Sequence, residues 1–164
     1  MSAGPEPPFQ ISTRVKLGDG PDNLQSYGII WGGDWNGQPC PNADYSSCFN
    51  HYYRLNIIYF GDNAKALRIQ LKRIDYHDPK DNAGRGTSLI DYTDIDVGDP
   101  SGWNIWEVAY ELDGTIRISV NGKVVKTNKD STLVNEPYFG VFASSDEYAG
   151  TAATFDYYVV TRLP

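Results

Sequence analysis

The sequence is poor in sulfur, in positive charge and in histidine. Of its 164 residues, two are cysteine, one is methionine and two are histidine. Lys and Arg number 14 against 21 Asp and Glu, giving a net charge of −7 at pH 7. A nucleic-acid binder needs a cationic footprint to displace counterions from phosphates. None is present, so nucleic acid is set aside as a partner. No apolar run approaches the ~20 residues of a membrane-spanning helix, so membrane insertion is not expected. His51 and His77 are isolated in the sequence. No Ser-His-Asp arrangement, phosphate-binding glycine loop, internal repeat or low-complexity segment occurs. The start, Met1-Ser2-Ala3-Gly4-Pro5, lacks the basic and apolar regions of a secretory leader. The Pro-rich opening reads as a linker or tag remnant over residues 1–8, ahead of one domain over 9–164. The expectation is a module of a secreted or cell-surface protein, accompanied by other domains of a longer chain.

The two cysteines, Cys40 and Cys48, lie in a short polar stretch, PCPNADYSSC. A zinc site would need two further ligands nearby; His51 is one candidate and no fourth is evident. A local disulfide fits better, would contribute roughly 2–3 kcal/mol by loop entropy, and would imply an oxidising compartment.

Turn formers and aromatics are abundant: 16 Gly, 10 Pro, 12 Tyr, 6 Phe and 4 Trp. Together they suit an all-β protein with many tight turns. A chain of this length buries roughly 68–70% of its unfolded surface, enough for a full core. The clearest pattern runs from Trp103 to Lys126. Trp106, Val108, Tyr110 and Leu112 alternate with Glu107 and Glu111, the period of a strand with one wet and one dry face. Asp113-Gly114 suits a type I′ turn. Ile116, Ile118 and Val120 then alternate with Thr115, Arg117 and Ser119. Asn121-Gly122 turns the chain into a third strand, completing a β-meander.

Further strands are predicted over Phe9–Gly18, Tyr27–Trp31, His51–Phe60, Ala66–Tyr76, Ser88–Val97, Tyr138–Ala143 and Thr154–Arg162. Tyr27–Trp31 is almost wholly apolar, as in a central strand covered on both faces. In the strand His51–Phe60, Tyr53, Leu55, Ile57 and Tyr59 share one face, and Tyr52, Arg54, Asn56 and Ile58 the other. Leu67, Leu71 and Ile74 also fit a helical stripe, but Leu67, Ile69 and Leu71 alternate with Arg68, Gln70 and Lys72 directly after a turn, which favours strand. Loops are expected over Gly32–Cys48, His77–Thr87 and Ser144–Gly150, with a polar connection over Thr127–Glu136. Ten to twelve short strands point to a sandwich of two antiparallel sheets.

Within this pattern, W-x-x-W-E-V, D-G-T-I-R-I-S-V-N-G-K, F-G-V-F-A-S and F-D-Y-Y-V-V, spread over Trp103–Val160, resemble the concanavalin A-like lectin/glucanase superfamily. The N-terminal two thirds match only in strand spacing. The resemblance implies a jelly roll with one concave and one convex sheet. It does not by itself assign function, because that architecture hosts lectins, glycan-binding modules, glycosidases, lyases and laminin-G-like adhesion domains. The E-x-D-x-E strand of laminarinase-type glucanases is missing. So is the clustered metal motif of legume lectins.

Three groups of residues carry the functional expectations. Trp31 and Trp35 bracket the start of the long loop. An exposed indole offers a flat apolar face to a sugar ring, while neighbouring amides and carboxylates fix hydroxyls. Trp35, between Asp34 and Asn36, is the candidate for exposure; Trp31 ends an apolar run, a position that is more often core than ligand contact. The polar face of the paired strands supplies Tyr52, Arg54, Asn56, Arg68, Gln70 and Lys72, with Glu107 and Glu111 expected nearby; each is also an ordinary residue for a solvated outer face. Asp94, Asp96 and Asp99, with Asp91, admit three readings. They form a solvated edge, or hold a structural calcium ion through carboxylate and carbonyl oxygens, or, as Asp94 and Asp96, supply the paired carboxyls of a glycosidase. The expected function is a non-catalytic, lectin-like domain binding a glycan or polysaccharide. A glycoside hydrolase or lyase and a laminin-G-like adhesion domain are the rivals.

Thiol titration checks the cysteine reading. The denatured, unreduced protein should release no free thiol and the reduced protein two; two free thiols before reduction would contradict the disulfide.

Overall fold

A computed structural model describes residues 2–3, 6–17, 25–37, 49–59, 67–78, 81–133, 136–145 and 153–164. Cys40, Cys48 and most of the predicted loops over Gly32–Cys48 and Ser144–Gly150 lie outside the described residues. The described chain forms eleven strands: β1 (Ser2–Ala3), β2 (Phe9–Leu17), β3 (Gln25–Gly33), β4 (Tyr52–Tyr59), β5 (Leu67–Asp78), β6 (Asp81–Ile95), β7 (Asn104–Tyr110), β8 (Thr115–Val120), β9 (Lys123–Lys129), β10 (Tyr138–Ser145) and β11 (Ala153–Arg162). They build two antiparallel sheets, β1-β10-β3-β4-β5-β6 and β11-β2-β7-β8-β9. The result is the expected all-β jelly-roll sandwich.

Alternation explains how the sheets meet. On β4, Tyr53, Leu55 and Ile57 are fully buried and join the main core with Tyr27, Ile29 and Trp31 of β3 and Leu67, Ile69 and Leu71 of β5. The facing sheet contributes Phe9, Ile11 and Val15 of β2, Trp106, Val108 and Tyr110 of β7, and Ile116, Ile118 and Val120 of β8. Burying a large apolar side chain contributes about 1.5–3 kcal/mol, so this layer is the main adhesive between the sheets. Aromatic edges reach across it. The Phe9 ring meets Phe139 at 4.7 Å and Tyr110 at 5.4 Å, both edge-on. The Trp106 indole N–H donates to the Tyr27 hydroxyl at 3.0 Å, which satisfies a polar group that burial would otherwise penalise.

The three strands of the meander are as predicted, with two differences: Leu112, read on the dry face with Trp106, Val108 and Tyr110, lies beyond β7 and is 71% exposed, and the first turn is of another type. The Asn121-Gly122 turn has positive φ at both residues, 50° and 79°, the signature of type I′. At Asp113-Gly114 only the glycine has positive φ, 81°. Gly114 N–H donates to Glu111 O and Glu111 N–H to Thr115 O. That is a three-residue loop with glycine in the left-handed position, a bulged hairpin rather than a type I′ turn.

Three other expectations are revised. Ser2–Ala3, read as linker, pair with Phe139 and Tyr138 of β10. His77–Thr87 is a hairpin rather than a loop, since β5 and β6 stay paired out to Asp78 and Asp81. Repeated register shifts along this pair absorb a sequence without clean alternation. The polar connection also starts later, because β9 continues to Lys129.

A polar knot fastens the segment after β9 to the six-stranded sheet. The Tyr53 hydroxyl donates to the Asp130 carboxylate, and the Tyr110 hydroxyl donates to the Asp130 carbonyl at 2.9 Å. Arg73 pairs with both Asp130 and Asp75, and donates to Thr132 Oγ1 at 2.8 Å. Leu133 N–H closes the loop on the Tyr53 hydroxyl at 3.3 Å. Burial works against ionising Asp130, but the bonds from Tyr53, Thr132 and Arg73 outweigh it and hold the carboxyl below its ordinary value of 3.8.

Asp130→Asn should lower folding stability by about 1.5–3 kcal/mol, the range for hydrogen bonds to a charged group. A folded pKa below the unfolded one means that the unfolded chain takes up the proton first. The stabilisation is therefore complete above pH 3.8 and is lost as the pH falls through the folded value. Urea unfolding at pH 7 and pH 3 should show a smaller acid-induced loss in Asp130→Asn than in the parent. Equal losses would contradict the assignment.

Candidate functional site: the outer face of the six-stranded sheet

Side chains that alternate with the core residues of β3, β4 and β5 project from the far side of the six-stranded sheet. Register sorts them into rows. Tyr52 stands opposite Ile74. Ile30 of β3, Arg54 of β4, Lys72 of β5 and Ser88 of β6 form the next row. Phe142 of β10, Gly28, Asn56 and Gln70 form another. Ser26, Ile58, Arg68 and Asp94 form the last. The face thus has an apolar end and a polar centre.

The apolar end is a second cluster, Ile30, Phe49, Tyr52, Ile74 and Phe142, with Tyr138 packed against it. Gly28 makes room for Phe142. A Cβ at position 28 would lie 1.9 Å from the Leu55 carbonyl oxygen and 2.6 Å from the Phe142 ring. Only a residue without a side chain lets that ring lie across β3. The isolated bridge Trp35↔Phe49 returns the long loop to the sheet. Its stem is closed by Asp34 N–H to His51 O at 3.1 Å, Asn50 N–H to Asp34 O at 2.9 Å and Asn50 Nδ2 to the Asp34 carboxylate at 2.7 Å. Trp35 emerges there, 46% exposed. Its ring meets Tyr138 edge-on at 6.2 Å, and Phe49 joins Tyr138 to Tyr52 through edge contacts at 6.0 and 6.2 Å. An unbroken aromatic chain therefore leads from the exposed indole to the sheet face.

The polar centre is Arg54, Asn56, Gln70 and Lys72. Asn56 and Gln70 are 7% and 5% exposed, and the Asn56 amide donates to Gln70 Oε1 at 3.5 Å. Arg68 donates to Asp94 at 2.7 Å on the flank. Ser88 donates to Asp91 at 2.6 Å.

Most of the predicted binding residues are thus brought together. Asp34, Trp35 and Asn36 share the loop stem; Arg54, Asn56, Arg68, Gln70 and Lys72 share the sheet face. Trp31 does not belong. It is wholly buried between the sheets, stacked on Tyr53 at 5.3 Å, so its indole cannot reach a ligand on the outer face. Tyr52 is on the correct face but 1% exposed, beneath the aromatic cluster. Glu107 and Glu111 lie with the other sheet: Glu107 accepts from Gln10 at 2.8 Å and Glu111 pairs with Arg117.

The aspartates are dispersed. Asp94 is held by Arg68. Asp96 accepts Gly98 N–H at 2.9 Å. Asp99 accepts from Ser101 N–H, Ser101 Oγ and Gly102 N–H at 3.1, 2.8 and 3.0 Å, and the Ser101 hydroxyl leads the bonds that hold its carboxyl below the ordinary value. Among the described residues, no group of three or more His, Cys, Asp or Glu is disposed to hold a metal ion. Nor is any helix there long and apolar enough to cross a membrane.

The residues that sequence reasoning missed are Phe49, Phe142 and Gly28. Alternation along β10 puts Phe139 in the core and Phe142, three residues on, on the opposite face with Tyr138; what the sequence does not show is that this outer face is covered by aromatics there.

This architecture is similar in fold to the concanavalin A-like jelly roll. Similar solved structures include an alginate lyase from Pseudomonas aeruginosa, with a TM-score of 0.52 and 19% identity over 94% of this chain and 64% of that one. A family 16 glycoside hydrolase endo-glucanase from Bacteroides ovatus gives 0.58 and 11% over 94% and 69%. Sheep galectin-11, solved in complex with glycerol, gives 0.51 and 11% over 93% and 89%. The chain thus spans less than two thirds of the lyase. At these identities the likeness is one of fold. No protein-family model matches the chain, and no curated protein matches it in sequence.

Gly28→Ala tests the geometry of this face. Overpacking should cost about 1–3 kcal/mol, read as a lower urea midpoint with an unchanged m-value. An unchanged midpoint would mean that Phe142 does not lie across β3.

Proposed function

We propose that this chain is a non-catalytic carbohydrate-binding domain whose contact surface is the outer face of the six-stranded sheet and the Trp35 rim. The observation that carries the reading is the exposed indole of Trp35, joined by Tyr138, Phe49 and Tyr52 to a face centred on Arg54, Asn56, Gln70 and Lys72. An indole held on edge contacts presents a flat apolar surface to the C–H face of a sugar ring. Amide and guanidinium groups are suited to reading the ring's hydroxyls. The fold supports this class of ligand, since an alginate lyase, an endo-glucanase and a galectin share it.

Binding is favoured over cleavage by the carboxylates. A retaining glycosidase needs two carboxyl groups about 5–5.5 Å apart, and an inverting one about 6.5–9.5 Å. In the four outer-face rows given above, the only carboxylate is Asp94, at the β6 end and committed to Arg68. An adhesion role is disfavoured by the placement of exposed apolar residues. Leu112 is at a hairpin tip, Val124 and Val159 are on opposite edge strands of the five-stranded sheet, and Trp103 lies under the Arg14 guanidinium at 4.8 Å. A protein-docking surface would gather such residues into one patch. On this reading the domain acts outside the cell or at its surface, as part of a longer chain.

Affinity electrophoresis through gels containing polysaccharide tests the proposal. Trp35→Ala should weaken retardation at least tenfold, about 1.4 kcal/mol, while leaving the melting temperature within a degree or two. Undiminished retardation in a folded Trp35→Ala protein would contradict the assigned rim, and hydrolysis of the polysaccharide would contradict the non-catalytic reading.

A further inference from the structure

The centre of the proposed binding face holds two cations side by side. Arg54 and Lys72 are direct cross-strand partners on β4 and β5. Like charges in that position repel. Their remaining neighbours in the row are Ile30 and Ser88; along the strands they are Tyr52, Asn56, Gln70 and Ile74. None carries a negative charge. Asp91 is occupied by Ser88 and forms no ion pair with Lys72. Asp94 is occupied by Arg68. Among the described residues neither Arg54 nor Lys72 has an ion-pair partner, and the Arg54 Nε–H is sealed from solvent without an acceptor.

Among the described residues Arg14, Arg68, Arg73, Arg117 and Lys129 each have a carboxylate partner, while Lys16, Lys123, Lys126 and Arg162 form no ion pair. What distinguishes Arg54 and Lys72 from those four is that they are direct cross-strand partners on one sheet face. The chain has 21 acidic and 14 basic side chains, yet among the described residues no carboxylate pairs with Arg54 or Lys72. A guanidinium fork beside an ammonium is a complementary seat for a planar or tetrahedral oxyanion.

We infer that the face takes an acidic polysaccharide, with Arg54 and Lys72 together binding a carboxylate or sulfate group of the sugar unit that lies over the centre of the sheet. This rests on the carbohydrate-binding reading above and adds the charge of the ligand. Asn56 and Gln70, directly adjacent on the same strands, would then read hydroxyls of the same unit. The chain's net charge of −7 repels a polyanion as a whole, so retention by one would have to be local.

The test is affinity electrophoresis of the full chain in four gels: polygalacturonate, its fully methyl-esterified form, dextran sulfate and a neutral β-glucan. Retardation by polygalacturonate that disappears on esterification is expected if the group is a carboxylate; retardation by dextran sulfate alone identifies sulfate. In either case Arg54→Gln/Lys72→Gln, confirmed as folded by its melting curve, should need at least tenfold more polysaccharide for the same retardation. Arg54→Lys should retain part of the effect, which a purely structural role would not predict. Equal retardation by the charged and esterified polymers, or by the neutral glucan alone, would overturn the acidic-ligand inference and leave the carbohydrate-binding reading standing. An unaffected double variant would likewise overturn it. No retardation in any gel would remove both.

Discussion

The register of β3, β4 and β5 is the constraint on which the rest of this protein depends. Tyr27↔Ile57, Ile29↔Leu55 and Trp31↔Tyr53 pair across β3 and β4, and Leu55↔Leu71 and Ile57↔Ile69 across β4 and β5. Those residues supply one wall of the main core. A slip of one residue would turn Arg54, Asn56 and Gln70 into the core and expose Tyr53 and Leu55, because side chains alternate with a strict period of two. The same register therefore fixes both the sandwich and the composition of the outer face. Core and candidate site are two sides of one set of strands.

That coupling explains the unusual burial along β3. Its inner residues, Ile29 and Trp31, belong to the sandwich core, while Ile30 belongs to the second cluster on the far face. The apolar sequence Tyr27–Trp31 needs cover on both sides, and Phe142 over Gly28 supplies part of it. The apolar cluster covers the β10 side and the Tyr52–Ile74 end of the face, leaving Arg54, Asn56, Gln70 and Lys72 as its polar centre. Trp35 reaches the boundary on a loop whose stem is fixed by Asp34, Asn50 and Phe49. On the proposed function, a stem fastened in this way would limit the entropy lost if the indole stacks on a ligand.

Much of this was legible in the sequence because period-two alternation is a strong signal where one face is dry. The meander, the faces of β4 and the choice of strand over helix for β5 all follow from it. The exposure of Trp35 was legible from its polar neighbours. Other features were not. Trp31 sits at the end of the same apolar run as Ile29, and its direction depends on one step of alternation. Phe142 follows the alternation of β10, but its place over Gly28 depends on the pairing of β10 with β3, which the pattern of one strand cannot give. The β5–β6 hairpin was hidden because His77–Thr87 is rich in charge and glycine, and its pairing is held by backbone bonds between strands rather than by an apolar face. The Arg54–Lys72 adjacency depends on strand pairing, which a single strand's pattern cannot give. Asp130 drew no attention in the sequence, since an aspartate in a polar connection looks like an ordinary turn residue until Tyr53, Tyr110 and Arg73 converge on it.

The central claim is that ligand contacts fall on the outer face of the six-stranded sheet. The most direct measurement is a heteronuclear NMR titration of the labelled chain with oligogalacturonate and, in parallel, with a neutral β-glucan oligosaccharide. The account predicts shifts in the Trp35 indole N–H and in the Asn56 and Gln70 side-chain amides, with Ser12, Arg117 and Ser119 of the other sheet unmoved. Shifts confined to the five-stranded sheet, or none with either sugar, would contradict it.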